Sequence, residues 1–400
     1  MTLPLAGLRI VSVEQFGAAP FGTMYLADLG ADVVRIEAPE DGSGMPGDLA
    51  RHTGEFRLGE NDSHFYQTFN RNKRAITLDL THDQGREVLH RLAARADAVA
   101  NNLRGDLPAR LGLDHAALSA VKPGIVCVHI SGYGRVGERA TWPAYDYLAQ
   151  AEAGMMALTG EPGGPPTRLG VSLIDMLSGL TAAVGLLAAV MGARATGQGR
   201  DVDVSLYDVA LHNLNYPATW YLNEGHEVQR RPRGGHPFAV LCEMLPTADG
   251  HVFVMCMKPA FWRRFCEAIG RPDLPVDARF LGYEDRLAQR DALMAEIDPA
   301  MRAHPNAHWV AALGGKVPVA PVLTLAEALD NPYFRGRGGA QATPHPARQD
   351  FALVANPIRL DGAVLPARAA PGYGADTEGV LAEAGYDAAA VAALRAAGVV

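Results

Sequence analysis

Cysteine is scarce in this chain. Four are found in 400 residues, Cys127, Cys242, Cys256 and Cys266, and no two form a C-x-x-C pair. That excludes a disulfide scaffold and a four-thiolate zinc site, and it points to a reducing compartment, the cytoplasm. Basic charge is also short: acidic residues outnumber lysine and arginine 44 to 36, for a net charge of −8. No nucleic-acid partner is expected of such a balance. Long apolar runs are few. The most apolar one, Met176–Met191, is interrupted by Ser178, Gly179, Thr181 and Gly185. It is short for a membrane span and reads as a buried helix, so no membrane association is expected. The segment Met1–Leu8 has no basic stretch leading into an apolar core and is not read as a secretory signal. The thirteen histidines are scattered without metal-ligand spacing. G-x-S-x-G, P-loop and H-E-x-x-H motifs are missing, which removes the minimum parts of a serine hydrolase of that type, a P-loop NTPase and a zincin.

What is present is a regular alternation. Leu8–Val13 is a β-rich run, followed by a small-residue turn, a helical run from about Phe21 to Leu29 and a second strand at Asp32–Ile36. That is a βαβ unit. Ala75–Leu80 reads as a strand, with Thr81 as N-cap of a helix running to about Ala96. Ala98–Asn101, Ile125–Ile130 and Val202–Leu206 read as further strands, with a helix near Asp114–Ala120. Strands alternating with helices predict an α/β, Rossmann-like, doubly wound parallel sheet. Leu177, Leu180, Val184, Leu187 and Met191 place one apolar stripe on a long helix beginning near Asp175. After about residue 223 the chain turns polar and basic. Phe238–Leu245 and His251–Met257 then read as an antiparallel pair, followed by helices. The expected organisation is a large domain over 1–215, a small α+β domain over 225–330 and a return to the large domain over 331–400.

Three segments carry candidate chemistry. The first βα turn, Glu14-Gln-Phe-Gly-Ala-Ala-Pro-Phe-Gly22, lets a ligand approach a helix N-terminus, yet it lacks the G-x-G-x-x-G of a dinucleotide site. Two basic clusters, Arg71 to Arg74 and Arg104 with Arg110, lie beside strands of an acidic protein and point to an anionic, phosphate-bearing ligand; a solvated charged loop is the plain alternative for each. Asp175 follows the Pro/Gly-rich loop Glu161–Gly170 and stands at the head of the apolar helix. It is either an N-cap or, because Val171–Ile174 is too apolar for an exposed turn, a recessed carboxylate. The helix N-terminus would keep that carboxylate ionised, as a nucleophile requires.

The chain also resembles a known family, the class III CoA-transferases (formyl-CoA and carnitine CoA-transferases), which share their fold with the α-methylacyl-CoA racemases. The resemblance runs nearly end to end. It rests on Leu5–Val11, Leu29–Glu37, Asn70–Arg74, Ser131–Tyr133, Tyr145–Leu148, Gly170–Asp175 and Thr196–Arg200, with Val317–Val322 fitting the return from the small domain. It implies an interlocked homodimer and acyl-CoA and small carboxylate substrates, with coenzyme A thioesters as substrates and no permanently bound cofactor. It further implies Asp175 as the acyl-accepting nucleophile. Gln15, Ala18, Arg35, Asn72, Lys73, Arg74, Asn102, Leu103, Arg104, Arg110 and Tyr133 would line the coenzyme A site. The function it implies is transfer of CoA from an acyl-CoA donor, such as succinyl-CoA or another small dicarboxylyl-CoA, to a carboxylic acid; the alternative is a racemase or isomerase of the same fold. The racemases place a histidine where Tyr145 stands here, and one base cannot readily exchange a proton between two faces of an α-carbon. A flexible loop over 230–237 resembles the family's active-site loop, and its Arg231, Arg233 and His236 are candidates to meet a second carboxylate. Near the C-terminus, Ala375-Asp-Thr377 departs from the family's acidic-His-Thr pattern.

Overall fold

The computed structural model describes residues 2–40 and 45–400. Its larger unit takes residues 1–153, 170–214 and 333–400. In it β1 (Arg9–Val13), α1 (Ala18–Asp28), β2 (Asp32–Glu37), β3 (Arg74–Thr77), α2 (Asp83–Arg95), β4 (Ala98–Asn101), β5 (Val126–Ser131), α3 (Asp146–Glu152), α4 (Leu173–Thr196) and β6 (Arg200–Ser205) follow in order. The six strands form one sheet in the order β3-β2-β1-β4-β5-β6, parallel at every pairing. Short, nearly continuous apolar strands suit such a sheet because helices cover both faces. Val11, Val34, Ile36, Ile76, Val99 and Cys127 pack in one core with Val88, Leu89 and Leu92 of α2 and with the C-terminal helices.

The strand order reverses between β1 and β4, which is where an open α/β sheet offers a crevice at its carboxyl edge. The two strands are stitched there: Gln15 N donates to Asn102 Oδ1 at 2.9 Å, and Asn102 Nδ2 donates back to Gln15 O at 2.7 Å.

The second unit takes residues 154–169 and 215–332. It contains a three-stranded sheet in which β8 (His251–Met255) pairs antiparallel with both β7 (Cys242–Pro246) and β9 (Val319–Pro321). Its core is built on Val252, Val254, Trp262, Phe265, Phe280, Ile297 and Trp309.

Several local readings change. The loop 154–169, expected in the large domain, belongs to the second unit. Val317–Val322, expected as the return segment, supplies β9, and the larger unit resumes at Tyr333. His82 rather than Thr81 caps α2, because the Thr81 hydroxyl donates to Asp79 instead. Helix α4 spans Leu173–Thr196, 24 residues ending at Gly197, so it is the long helix expected from near Asp175 and extends beyond its most apolar stretch at both ends. By length and composition it is long and apolar enough to cross a membrane. Its Ile174, Ser178, Gly179, Ala182, Ala183 and Leu186 are nevertheless buried within the unit.

Candidate active site

Helix α4 brings Asp175 to the carboxyl edge. Its N-cap is Ser172, so Asp175 is the third helical residue and not the cap. The Asp175 N–H, one of the orphan donors of a helix start, is taken by Asp146 Oδ2 at 2.9 Å. Asp146 opens α3, is buried, and also accepts from Gln150 Nε2. What sets the depth of Asp175 is glycine. A Cβ on Gly22 would lie 2.3 Å from the Gly179 carbonyl oxygen, and one on Gly179 2.3 Å from that of Ala18. Helices α1 and α4 therefore cross with their backbones in contact. Gly179 is one turn beyond Asp175 on the same face, so this crossing draws the carboxylate onto the β1–α1 turn. There a Cβ on Gly17 would meet Asp175 Oδ2 at 2.9 Å.

The ionisation of Asp175 departs from expectation. Burial, reinforced by the like charge of Asp146, pushes its pKa up to about 7. The helix N-terminus does not hold it in the ordinary carboxylate range, because the facing carboxylate and the loss of solvent outweigh it. A nucleophilic carboxylate acts only when ionised, so kcat/KM should fall about tenfold per pH unit below this pKa and level off above it. Asp146→Asn removes the opposing charge and should move that acid limb toward lower pH. A pH–rate profile of wild type and variant measures both, and an unmoved limb would detach Asp146 from the nucleophile.

A cavity of about 250 Å³ opens on Asp175, with Gln15, Gly17, Ala18, Asn102, Leu103, Arg104, Gly132, Trp142, Ala144 and Tyr145 in its wall. Phe16, also in the wall, is held in the left-handed region at φ 59°. Its N–H donates to Asp48 Oδ1 at 3.1 Å. Backbone strain of this kind persists where neighbours over-determine it. A second hollow of about 170 Å³ shares Gln15 with the first and is walled by Glu37, Ala38, Leu78, Asp79, Leu80, Thr81 and Leu111.

The site residues read from the resemblance divide accordingly. Asp175, Gln15, Ala18, Asn102, Leu103 and Arg104 share the first cavity. Arg104 is paired with Asp106 at 2.6 and 2.9 Å, while Arg110 is largely exposed, 3.5 Å from the same carboxylate. Tyr133 is turned aside. Its hydroxyl donates to Glu152 at 2.8 Å, and Arg139 lies 5.1 Å from its ring centre. Arg35 is fully buried, bound to Asp48 at 2.8 Å and to the Glu14 carbonyl at 3.1 Å. It supports the turn from beneath and does not face a ligand.

The 72–74 cluster is engaged as well. Asn72 donates to Asp28 at 2.7 Å, Lys73 to Glu14 at 2.7 Å, and Arg74 pairs with Asp32 and Glu383, each at 2.7 Å. Burial lowers the Lys73 pKa to about 8 even beside Glu14. These charges fasten the larger unit together. The turn holding Gly17 was singled out by the sequence, and Asp146 lies inside the Tyr145–Leu148 motif without having been given a role. The residues that sequence reading missed outright are Trp142 and the Leu78–Thr81 wall of the second hollow, and Gly179 was read only as an interruption of an apolar run.

In the second unit Arg233 is bound to Asp298 at 2.8 and 2.6 Å, which withdraws it from the role of binding a second carboxylate. His236 Nε2 lies 3.1 Å from the Tyr216 hydroxyl, and the 230–233 stretch is pinned by Arg230 to the carbonyls of Gly164 and Pro165. Among the described residues no group of three or more His, Cys, Asp or Glu is disposed to hold a metal ion.

Fold and site together define an α/β enzyme with a recessed carboxylate at the topological switch point. The model of CoA-transferase family III matches residues 5–377. Acetyl-CoA:oxalate CoA-transferase of Acetobacter aceti is 32% identical over 90% of each chain. Succinyl-CoA:mesaconate CoA-transferase of Haloarcula marismortui is 33% identical over 96% of this chain and 97% of its own. Among solved structures, a CAIB/BAIF family protein from Brucella suis superposes with a TM-score of 0.82 at 30% identity, covering 96% of this chain and 100% of its own. Rv3272 from Mycobacterium tuberculosis gives 0.83 at 27% identity over 94% and 99%. The chain belongs to CoA-transferase family III and is an enzyme that transfers CoA between acyl-CoA and carboxylates.

Proposed function

We propose that Asp175 carries this transfer covalently, moving CoA from a small acyl-CoA donor to a carboxylate through anhydride and aspartyl-CoA thioester intermediates. The ionised carboxylate attacks the donor thioester carbonyl. The C–S bond breaks, leaving a mixed anhydride on Asp175 and CoA thiolate. The thiolate then attacks the aspartyl carbonyl, forming the aspartyl-CoA thioester and releasing the donor acid. An acceptor carboxylate runs the two steps in reverse, and thioester energy is conserved throughout. The observation that carries this reading is the placement of Asp175: recessed, free of a capping role and in contact range of Gly17. Among the described residues no side chain caps α1 at Gly17, so the first N–H groups of that helix are available to a developing oxyanion. With the thioester at Asp175, the nucleotide end of coenzyme A belongs in the second hollow, reached past Gln15.

The relatives named for succinate–glutarate and for succinyl-CoA–D-citramalate transfer support a succinyl-CoA or similar dicarboxylyl-CoA donor. Incubation with a panel of acyl-CoA donors and carboxylate acceptors should give new thioesters from a dicarboxylyl pair, detected by chromatography. Exclusive use of monocarboxylates would overturn the donor assignment. The four unpaired, buried cysteines support a cytoplasmic setting.

The enzyme is further read as an interlocked homodimer. Supporting this, α4 exposes Val184 at 68% and Met191 at 72%, an apolar face that association would cover. Light scattering should give twice the chain mass at micromolar concentration; a monomer would overturn the assignment.

A further inference from the structure

His129 is buried in the middle of β5, yet it belongs to a polar chain that leads to the active site. On one side its Nδ1 lies 2.8 Å from Asn101 Nδ2, on β4. On the other its Nε2 lies 2.9 Å from Asp201 Oδ1, on β6. Asp201 also accepts from the His115 N–H at 2.9 Å and pairs with Arg135 at 3.2 Å; Arg135 reaches Asp203 as well. Burial works against the charge on Asp201, but the hydrogen bonds from His129 and the His115 N–H hold its pKa well below the carboxylate range. Asp201 is therefore an acceptor only, and His129 must present Nε2–H to it.

The other ring nitrogen is fixed by Asn101. Its Oδ1 faces the Leu103 N–H at 3.4 Å, so its amide nitrogen is what points at His129. A donor there requires Nδ1 to be a bare acceptor. One arrangement satisfies all three groups: neutral His129 with its proton on Nε2. Turning the Asn101 amide over would set a donor against the Leu103 N–H. The next residues form the loop 102–104 in the cavity wall, and Asn102 is stitched to Gln15 in the turn that abuts Asp175.

We propose that His129 is a positioning residue for CoA transfer: as the Nε2–H tautomer it fixes the Asn101 amide, which seats the 102–104 loop and, through Asn102, the Gln15–Gly17 turn against Asp175. The proposal rests on the covalent reading above. It assigns His129 no contact with substrate.

Two measurements test it on the full-length enzyme. With 15N-labelled histidine, NMR of the wild type should show His129, identified by its loss in His129→Gln, with Nδ1 unprotonated and Nε2 protonated at pH 7.5. In His129→Gln, the KM for the acyl-CoA donor should rise about tenfold and kcat per folded enzyme should fall, since small displacements of positioning groups cost up to ~10²-fold. A merely structural role would lower the folded fraction and leave KM unchanged, and that result overturns the proposal. A proton on Nδ1 in the wild type overturns it too, even if the variant fails to fold. A wild type that transfers CoA without acylation of Asp175 would instead strike the covalent reading, while the NMR result still judges the tautomer.

Discussion

Replacing Asp175 by asparagine is expected to reduce CoA transfer by ~10³-fold or more, the scale of loss when a catalytic nucleophile is removed. An amide carries no charge and forms no anhydride. Folding should survive, because Asp175 does not cap α4; Ser172 occupies that position. The variant should even gain stability at alkaline pH. The folded-state pKa of Asp175 is raised to about 7, above the ~3.9 of an unfolded aspartate. The folded state thus favours the protonated form. Its contribution is fully present below pH ~4 and is lost as pH rises through about 7. Asparagine mimics the neutral form, so at pH 8 the variant should exceed wild type by roughly 2 kcal/mol, allowing for partial exposure. The advantage should vanish below pH 4. Urea denaturation at pH 4 and pH 8, paired with a thioester-exchange assay, reads both effects. A destabilised Asp175→Asn protein at pH 8 would show that the carboxylate serves the fold.

Gly179→Ala should be a strongly disruptive single-methyl change near the site. The added carbon would lie 2.3 Å from the Ala18 carbonyl oxygen, on backbone that cannot swing aside as a flexible side chain does. Relief requires α1 and α4 to separate. Overpacking of this kind costs about 3 kcal/mol when backbone has to move. The same separation draws Asp175 back from Gly17, so transfer should fall by up to ~10²-fold in the folded fraction. Gly192→Ala, on the same helix where a Cβ meets nothing within 4 Å, is the control and should be neutral or slightly stabilising. Thermal melts and activity of the pair check this, and equal behaviour would mean that the crossing does not set the depth of Asp175.

How legible these features were follows from their range along the chain. All six parallel strands, and β7 with β8, stood out as short strand-like runs bounded by turn residues, because a strand buried on both faces advertises itself locally. β9 did not: it is a three-residue strand containing a proline. The basic cluster Asn72–Arg74 misled for a different reason. Its partners Asp28, Glu14, Asp32 and Glu383 lie tens to hundreds of residues away. Nothing local separates a cation awaiting phosphate from one that fastens a fold. Asp175 was legible as a recessed carboxylate, but its raised pKa was not, since that depends first on its burial in the fold and then on Asp146, 29 residues earlier. The resemblance supplied a site, and the fold decided which of its members face the cavity.

The central claim, that Asp175 becomes covalently acylated, is tested most directly by trapping. Wild-type enzyme mixed with an acyl-CoA donor and quenched with hydroxylamine should yield, on peptide mass spectrometry, a hydroxamate at Asp175 and at no other carboxylate. Asp175→Asn treated in the same way should yield none. A wild-type peptide left unmodified during active turnover, or a hydroxamate at another residue, would contradict the account.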